Sequence, residues 1–174
     1  LLKMPPPLVA LFPSIKNLKD GSNMTHLPSW HAWNSIVPVI LKSSVVFTVA
    51  GTNGKGTTTA VLAGLSQASG KTVGWYTSPH LLSFNERIRI NNSPVSDVLL
   101  VQAFSQIETI RGDVSLSYFE YTSLAAFYIF QQHNLDVWVL EVGLGGRLDA
   151  VNIIEPDVAV VTNIGLDHQG FLGD

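Results

Sequence analysis

A chain of 174 residues that is 46% apolar and only 13% charged is too rich in core-forming side chains for disorder, and it has room for one ordinary domain with a buried sheet. A formal net charge of −3 gives no reason to expect nucleic acid or an anionic membrane as partner, and the lack of cysteine excludes disulfides and thiolate metal sites. No run of 18 apolar residues occurs, and Pro5, Pro6 and Pro7 stand where a signal peptide would need its apolar helix, so a cytoplasmic location is expected.

The first residue is Leu1, which suggests a fragment or a processed product. Residues 1–44 are punctuated by Pro5, Pro6, Pro7, Pro13, Pro28 and Pro38, so any helix there is short. Trp30 and Trp33 fit one face of a helical turn as packing residues. The pattern sharpens at Val45–Ala50, where β-branched and apolar residues run without alternation, as in a strand buried on both faces. A glycine-rich turn leads into a helix from about Gly56 to Ser69, closed by Gly70. Lys71–Tyr76 reads as a second strand, residues 77–86 as a loop, and Arg87–Ile90 as a short strand ending in an Asn91-Asn92 turn.

Ser96 is the expected N-cap of a helix to about Ile110, with Leu100, Ala103, Phe104, Ile107 and Ile110 at helical spacing. A helix over Phe119–His133 is apolar nearly all round between Leu124 and Phe130 and should be well buried. Asp136–Val142 and Asp157–Ile164 complete the pattern as two more buried strands. Strands alternating with helices predict an α/β fold, a P-loop-type, mostly parallel sheet with helices on both faces.

The chemistry concentrates at Gly51-Thr52-Asn53-Gly54-Lys55-Gly56-Thr57-Thr58, between a buried strand and a helix. Backbone N–H groups and the helix dipole favour phosphate there, glycines permit close approach, and Lys55 has the reach for β and γ phosphates. The match to G-x-x-x-x-G-K-[ST] is shifted. Val49 stands where the first glycine belongs, and Gly56 follows the lysine, so a magnesium-facing hydroxyl must come from Thr57 or Thr58. The bland alternative is a glycine-rich turn without a ligand. Glu141 ends one buried strand and His168 follows another, at the edge where open α/β sheets bind ligands. Glu141 suits either a magnesium ion or a backbone N–H, and His168 a core position or a ligand.

The shifted loop resembles that of the Mur ligase superfamily in its folate branch, dihydrofolate synthase and folylpolyglutamate synthase, with the bifunctional bacterial type the best match. Further blocks agree in order: Ser78-Pro79-His80 with Phe84-Asn85-Glu86-Arg87, Ser117 to Tyr121, Glu141 to Ala150 with Asn152, and Leu166-Asp167-His168. The resemblance runs from about Val45 to Asp174 and implies a central ATP-binding domain over residues 45–174, with residues 1–44 poorly matched.

It further implies ATP and Mg2+ as cofactors, with Ser78, Glu141 and His168 holding one ion and a second lying near Thr57, Glu141 and the phosphates. Lys55, Glu141 and His168 would be catalytic. Ser117, Tyr118, Phe119, Glu120, Leu148, Asp149 and Ala150 would border a pterin site, Phe119 with an aromatic face and Asp149 by hydrogen bonds to the ring. Without the resemblance, Phe119 reads as a core residue and Asp149 as a solvated loop carboxylate or a helix cap.

The implied partners are dihydropteroate or a folate, L-glutamate and ATP, in a protein that is monomeric at full length. The reaction would pass through an acyl phosphate. In that family a downstream lysine and a C-terminal domain complete the site, so these 174 residues alone are expected to bind ATP weakly and not to ligate. Competing readings are a nucleotide-binding fragment without chemistry, a Mur-type peptidoglycan ligase, and an unrelated P-loop ATPase or GTPase. The 117–121 and 147–150 blocks argue against the second, and the shifted glycine and absent Asn-Lys-x-Asp motif against the third.

Overall fold

The computed structural model describes residues 44–166 and residue 170. The expectations for residues 1–43, Trp30 and Trp33 among them, and for Asp167 and His168 lie outside the described residues.

The sheet has six strands in the order β4-β3-β2-β5-β1-β6. They are β1 (Val45–Ala50), β2 (Val73–Tyr76), β3 (Ile88–Ile90), β4 (Ser93–Pro94), β5 (Val137–Glu141) and β6 (Val158–Val161). β2, β5, β1 and β6 run parallel, while β3 and β4 extend the edge antiparallel. Three α-helices follow in chain order: α1 (Lys55–Ala68), α2 (Asp97–Arg111) and α3 (Tyr118–Gln131).

Alternation along β5 assigns the two faces. Val137 and Val139 pack with Ala63 and Leu62 of α1, whereas Trp138 and Leu140 join the larger cluster with Phe104 of α2 and Phe127 and Phe130 of α3. Layers on both sides bury all five residues of β5, which is why its sequence is apolar without a break until Glu141. The expected mostly parallel sheet with helices on both faces is therefore found.

Local signals account for the element ends. The Lys71 and Gly70 amides return to the Ser66 and Gln67 carbonyls after α1, a Schellman closure. Ser96 Oγ accepts from the Leu99 amide and caps α2. Asn91 and Asn92 adopt φ of 48° and 64°, the left-handed pair that a two-residue hairpin requires, and they join β3 to β4.

Four expectations are corrected. β2 starts at Val73 because the Thr72 amide and hydroxyl are taken by Asp136 Oδ2. Arg87 belongs to a 3-10 turn, Phe84–Arg87, and not to β3. Ile110 is exposed, at the margin of the face that α2 buries. The last strand is short, and its residues are exposed or half-buried, because no strand among the described residues pairs with β6 on the side away from β1.

Candidate functional site

The carboxyl ends of β1, β2, β5 and β6 meet at one edge of the sheet, where ligands bind in open α/β folds. β1 leaves the sheet through Gly51, with φ +134°. A Cβ there would collide with Thr162 Oγ1 and lie 2.9 Å from Asn163 O. Only glycine allows this conformation beside the end of β6.

The turn is tied to the segment after β6. The Thr52 amide donates to Asn163 O at 3.0 Å, and the Asn53 amide donates to Asn163 Oδ1 at 2.9 Å. Asn163 Nδ2 and Thr162 Oγ1 both donate to Asn53 O, at 3.2 and 2.6 Å. The Gly165 amide donates to Thr52 Oγ1 at 2.9 Å.

Gly54, in the left-handed region, caps α1 without a side-chain bond. The first helical hydrogen bond is Thr58 N–H to Gly54 O, 2.9 Å, so the Lys55, Gly56 and Thr57 amides precede any acceptor along the helix. Lys55 Nζ folds back to Gly51 O and Thr52 O, at 2.7 and 3.3 Å. Thr57 is exposed and Thr58 half-buried.

Glu141 ends β5 at 3% exposure. Its carboxylate accepts from the Thr77 hydroxyl and from the Ser78 amide at 3.2 Å. Burial pushes its pKa above the ordinary carboxylate value, opposed by those two hydrogen bonds and by the charges of Lys55 and Arg87. An ideal Cβ on Gly56 would stand 3.7 and 3.8 Å from the two Glu141 oxygens, so the carboxylate lies against the first turn of α1 and the glycine leaves the space between them open.

That open space, the Glu141 carboxylate and the Thr77 hydroxyl bonded to it form a hard-oxygen donor set. Magnesium suits such a site because it keeps several waters and takes one or two carboxylates plus substrate phosphates. Among the described residues, no cluster of three His, Cys, Asp or Glu side chains replaces that arrangement. Of the expected metal-holding residues, Glu141 and Ser78 are together, Ser78 through its amide.

Asp149 is 4% exposed, so it is not a solvated loop carboxylate. Its Oδ2 accepts from the Gly143 and Leu144 amides, both at 3.0 Å, and its Oδ1 from the Val151 amide at 3.0 Å. It caps the 3-10 turn Ala150–Ile153 and folds the 143–149 loop onto itself. Burial outweighs the three amides and the charge of Lys55, and its pKa is raised to about 6. Leu148 is exposed and Ala150 buried.

Phe119 covers the same loop from α3. A Cβ on Gly143 would come within 2.5 Å of its ring, and the Tyr76 ring lies 5.8 Å away. Ser117 and Glu120 form a capping box at the start of α3: Ser117 Oγ accepts from the Glu120 amide at 3.3 Å and Glu120 Oε2 from the Ser117 amide at 2.6 Å. Tyr118 lies under the Arg87 guanidinium, 5.4 Å from Cζ to the ring centroid. Arg87 is 4% exposed and donates from Nε to His80 Nδ1 at 2.8 Å, joining the loop after β2 to α3. A cavity of about 340 Å3 opens between the two glycine loops, lined by Gly51, Thr52, Lys55, Gly143, Gly146 and Asn163 among others.

The structure thus brings Lys55, Gly56, Glu141 and Ser78 together, with Phe119 and Asp149 shaping the adjacent loop. Thr77 and Asn163 are the residues that sequence reasoning missed. Both follow strand ends whose neighbours, β5 and β1, are fixed only by tertiary pairing. The available signal was the position of each, next to the carboxyl end of an apolar run.

Comparison with known proteins places this geometry. The family described as Mur ligase middle domain matches residues 49–174. Dihydrofolate synthase/folylpolyglutamate synthase of Escherichia coli (strain K12) is 53% identical over 135 residues, 78% of this chain and 32% of the relative. Folylpolyglutamate synthase of Lacticaseibacillus casei is 42% identical over 132 residues, 72% of this chain and 31% of the relative. A solved structure of E. coli FolC in complex with DHPP and ADP matches with a TM-score of 0.86 at 44% identity, covering 100% of this chain and 42% of that one. A bifunctional folylpolyglutamate synthase/dihydrofolate synthase with Mn, AMPPNP and L-glutamate bound matches at 0.82 and 44% identity, covering 96% and 40%. The chain spans about a third of the length of these curated relatives.

Proposed function

The chain belongs to the Mur ligase family by its middle domain, and from that premise we propose that it is the nucleotide-binding part of an ATP-dependent ligase that joins L-glutamate to the carboxylate of dihydropteroate or of a folate. The observation that carries this reading is the convergence of three features at one sheet edge: the amides of the first turn of α1, which have no acceptor among the described residues, the Lys55 ammonium, and the buried Glu141 carboxylate facing that turn. The named relatives, two of them solved with ADP or AMPPNP, support the choice of nucleotide and of acceptor.

In this proposal the phosphates of ATP lie against the amides of α1, where the helix dipole adds positive potential. Lys55 releases the Gly51 and Thr52 carbonyls and turns its ammonium to the β and γ phosphates. Glu141, with Thr57, Ser78 and, from the family resemblance, His168, would hold magnesium, which supplies neutralisation of the developing phosphate charge. Phe119 and the Ser117 to Glu120 turn form one wall of the acceptor site; Asp149, with Leu148 and Ala150, sets the shape of the loop opposite.

An oxygen of the acceptor carboxylate attacks the γ phosphorus, its bond to the β–γ bridging oxygen breaks, and ADP leaves. The glutamate amine then attacks the acyl carbon of the resulting acyl phosphate. An amide bond forms, inorganic phosphate departs, and the amine proton passes to solvent. Positioning and charge neutralisation carry such a step. The remaining contacts to ATP and glutamate are proposed to come from a C-terminal domain such as the one the family resemblance implies. A cytoplasmic location fits this chemistry; among the described residues, no helix is long and apolar enough to cross a membrane.

The test is glutamate-dependent ADP formation with dihydropteroate or tetrahydrofolate as acceptor, measured on the protein that carries this sequence. Labelled glutamate appearing in the pteroyl product is the expected result. ATP turnover indifferent to both acceptors would overturn the proposed reaction.

A further inference from the structure

In this turn the two amides that open the glycine loop, those of Thr52 and Asn53, already have acceptors. Asn163 takes both, one through its carbonyl at 3.0 Å and one through Oδ1 at 2.9 Å, and returns a bond from Nδ2 to Asn53 O. The amides of Gly54, Lys55, Gly56 and Thr57 have no acceptor among the described residues. They are successive, they end in the first turn of α1, and Lys55 and Thr52 beside them line the 340 Å3 cavity together with Asn163.

We propose that Asn163 is a positioning residue for the phosphate site. It holds the 51–53 turn against the end of β6 and thereby confines anion recognition to the four amides from Gly54 to Thr57. The ligand class is the di- or triphosphate group of a nucleotide, and the inference rests on the proposed function of this same edge. Asn163 touches the loop and not the phosphate. An amide side chain suits the task because it offers an acceptor and a donor in one plane, so it closes on both the N–H and the C=O of Asn53. The shifted motif follows from the same geometry. With the first two amides consumed, the anion site begins three residues after Gly51, and the lysine at its centre is followed by a glycine whose missing side chain keeps Glu141 open to the site.

The probes are magnesium–ATP and inorganic tripolyphosphate, titrated into the 15N-labelled chain and into its Asn163→Ala and Asn163→Asp variants, with amide hydrogen exchange measured before and after. In the parent, the Gly54 to Thr57 amides shift on addition of tripolyphosphate. Those of Thr52 and Asn53 are protected from exchange before any ligand is added.

Asn163→Ala should lose that protection at Asn53, while Thr52, whose acceptor is the main-chain carbonyl of residue 163, keeps it. The same variant should bind tripolyphosphate about tenfold more weakly, the loss expected when one charge-assisted hydrogen bond is disordered. Asn163→Asp keeps the acceptor for the Asn53 amide but loses the donor to Asn53 O, so it should keep the Asn53 protection while affinity still falls. A general loss of structure would instead lower protection throughout β1 and β5 in both variants, and that outcome counts against positioning. Tripolyphosphate binding by Asn163→Ala at parental strength, or ligand-induced protection at Thr52 and Asn53, overturns this inference alone. A parent chain that binds neither probe overturns the nucleotide reading and this inference with it.

Discussion

Replacing Asp149 separates burial from hydrogen bonding as the force that sets its charge. The carboxylate is 4% exposed and accepts from three backbone amides, at 3.0 Å each. Asp149→Ala removes a cap, worth about 1 kcal/mol, and leaves the Val151 amide buried without an acceptor, worth about 1–3 kcal/mol. The half-buried Gly143 and Leu144 amides can turn to water. A net loss of about 2 kcal/mol at pH 7 is therefore expected.

The pH dependence is sharper. The pKa is raised from 3.8 to about 6, so the folded chain binds the proton more tightly than the unfolded chain. Stability from this group is then fully present below about pH 3.8 and falls as pH rises through about 6. A shift of that size corresponds to at most about 3 kcal/mol. The difference between parent and Asp149→Ala, measured by urea unfolding followed through tryptophan fluorescence, should thus grow as pH is lowered from 7 to 4. Subtracting the variant removes the other titrating groups, Glu141 included. If the difference shrinks on acidification, the three amides outweigh burial, the pKa is depressed, and the reasoning is refuted.

Other outcomes follow from the same structure. Ser117→Ala should cost about 1 kcal/mol by removing the cap of α3 and leave magnesium–ATP affinity unchanged; thermal unfolding with a nucleotide titration checks both halves. Gly143→Ala drives a Cβ into the Phe119 ring, and overpacking of this kind costs about 1–3 kcal/mol, so denaturant unfolding should show it, with partial recovery in the double variant carrying Phe119→Leu. Glu141→Gln removes the charge while keeping the shape, so nucleotide affinity should lose most of its dependence on magnesium, read by titrating ATP with and without the metal.

Much of this architecture is legible in the chain because local signals and tertiary demands agree. β1 and β5 run without polar alternation because both of their faces are covered along most of their length, and the bounds expected for β1 are the bounds observed. α1 begins at a glycine turn and is closed by Gly70, two residues past Ala68, and Ser96 caps α2 as its sequence suggests. The capping box of Ser117 and Glu120, which starts α3 at Tyr118, is a finding of the structure; the sequence pattern begins that helix at Phe119.

Other features were hidden for physical reasons. The apolar run of β6 does not announce that it lies at an edge. Thr77 and Asn163 act on partners 64 and 110 positions away, through strand neighbours that no local period encodes. Asp149 turns inward because its loop closes on its own amides, and that closure depends on Phe119 and the end of β5.

The central claim is that a nucleotide's phosphates rest on the first turn of α1 with Lys55 countering their charge. Its most direct measurement is the equilibrium affinity of the parent chain and of Lys55→Ala for a fluorescent ATP analogue with magnesium. Binding by the parent and a loss of about tenfold or more in the variant, the worth of one charge-assisted contact, is the predicted result. Equal affinity in the two chains would contradict it.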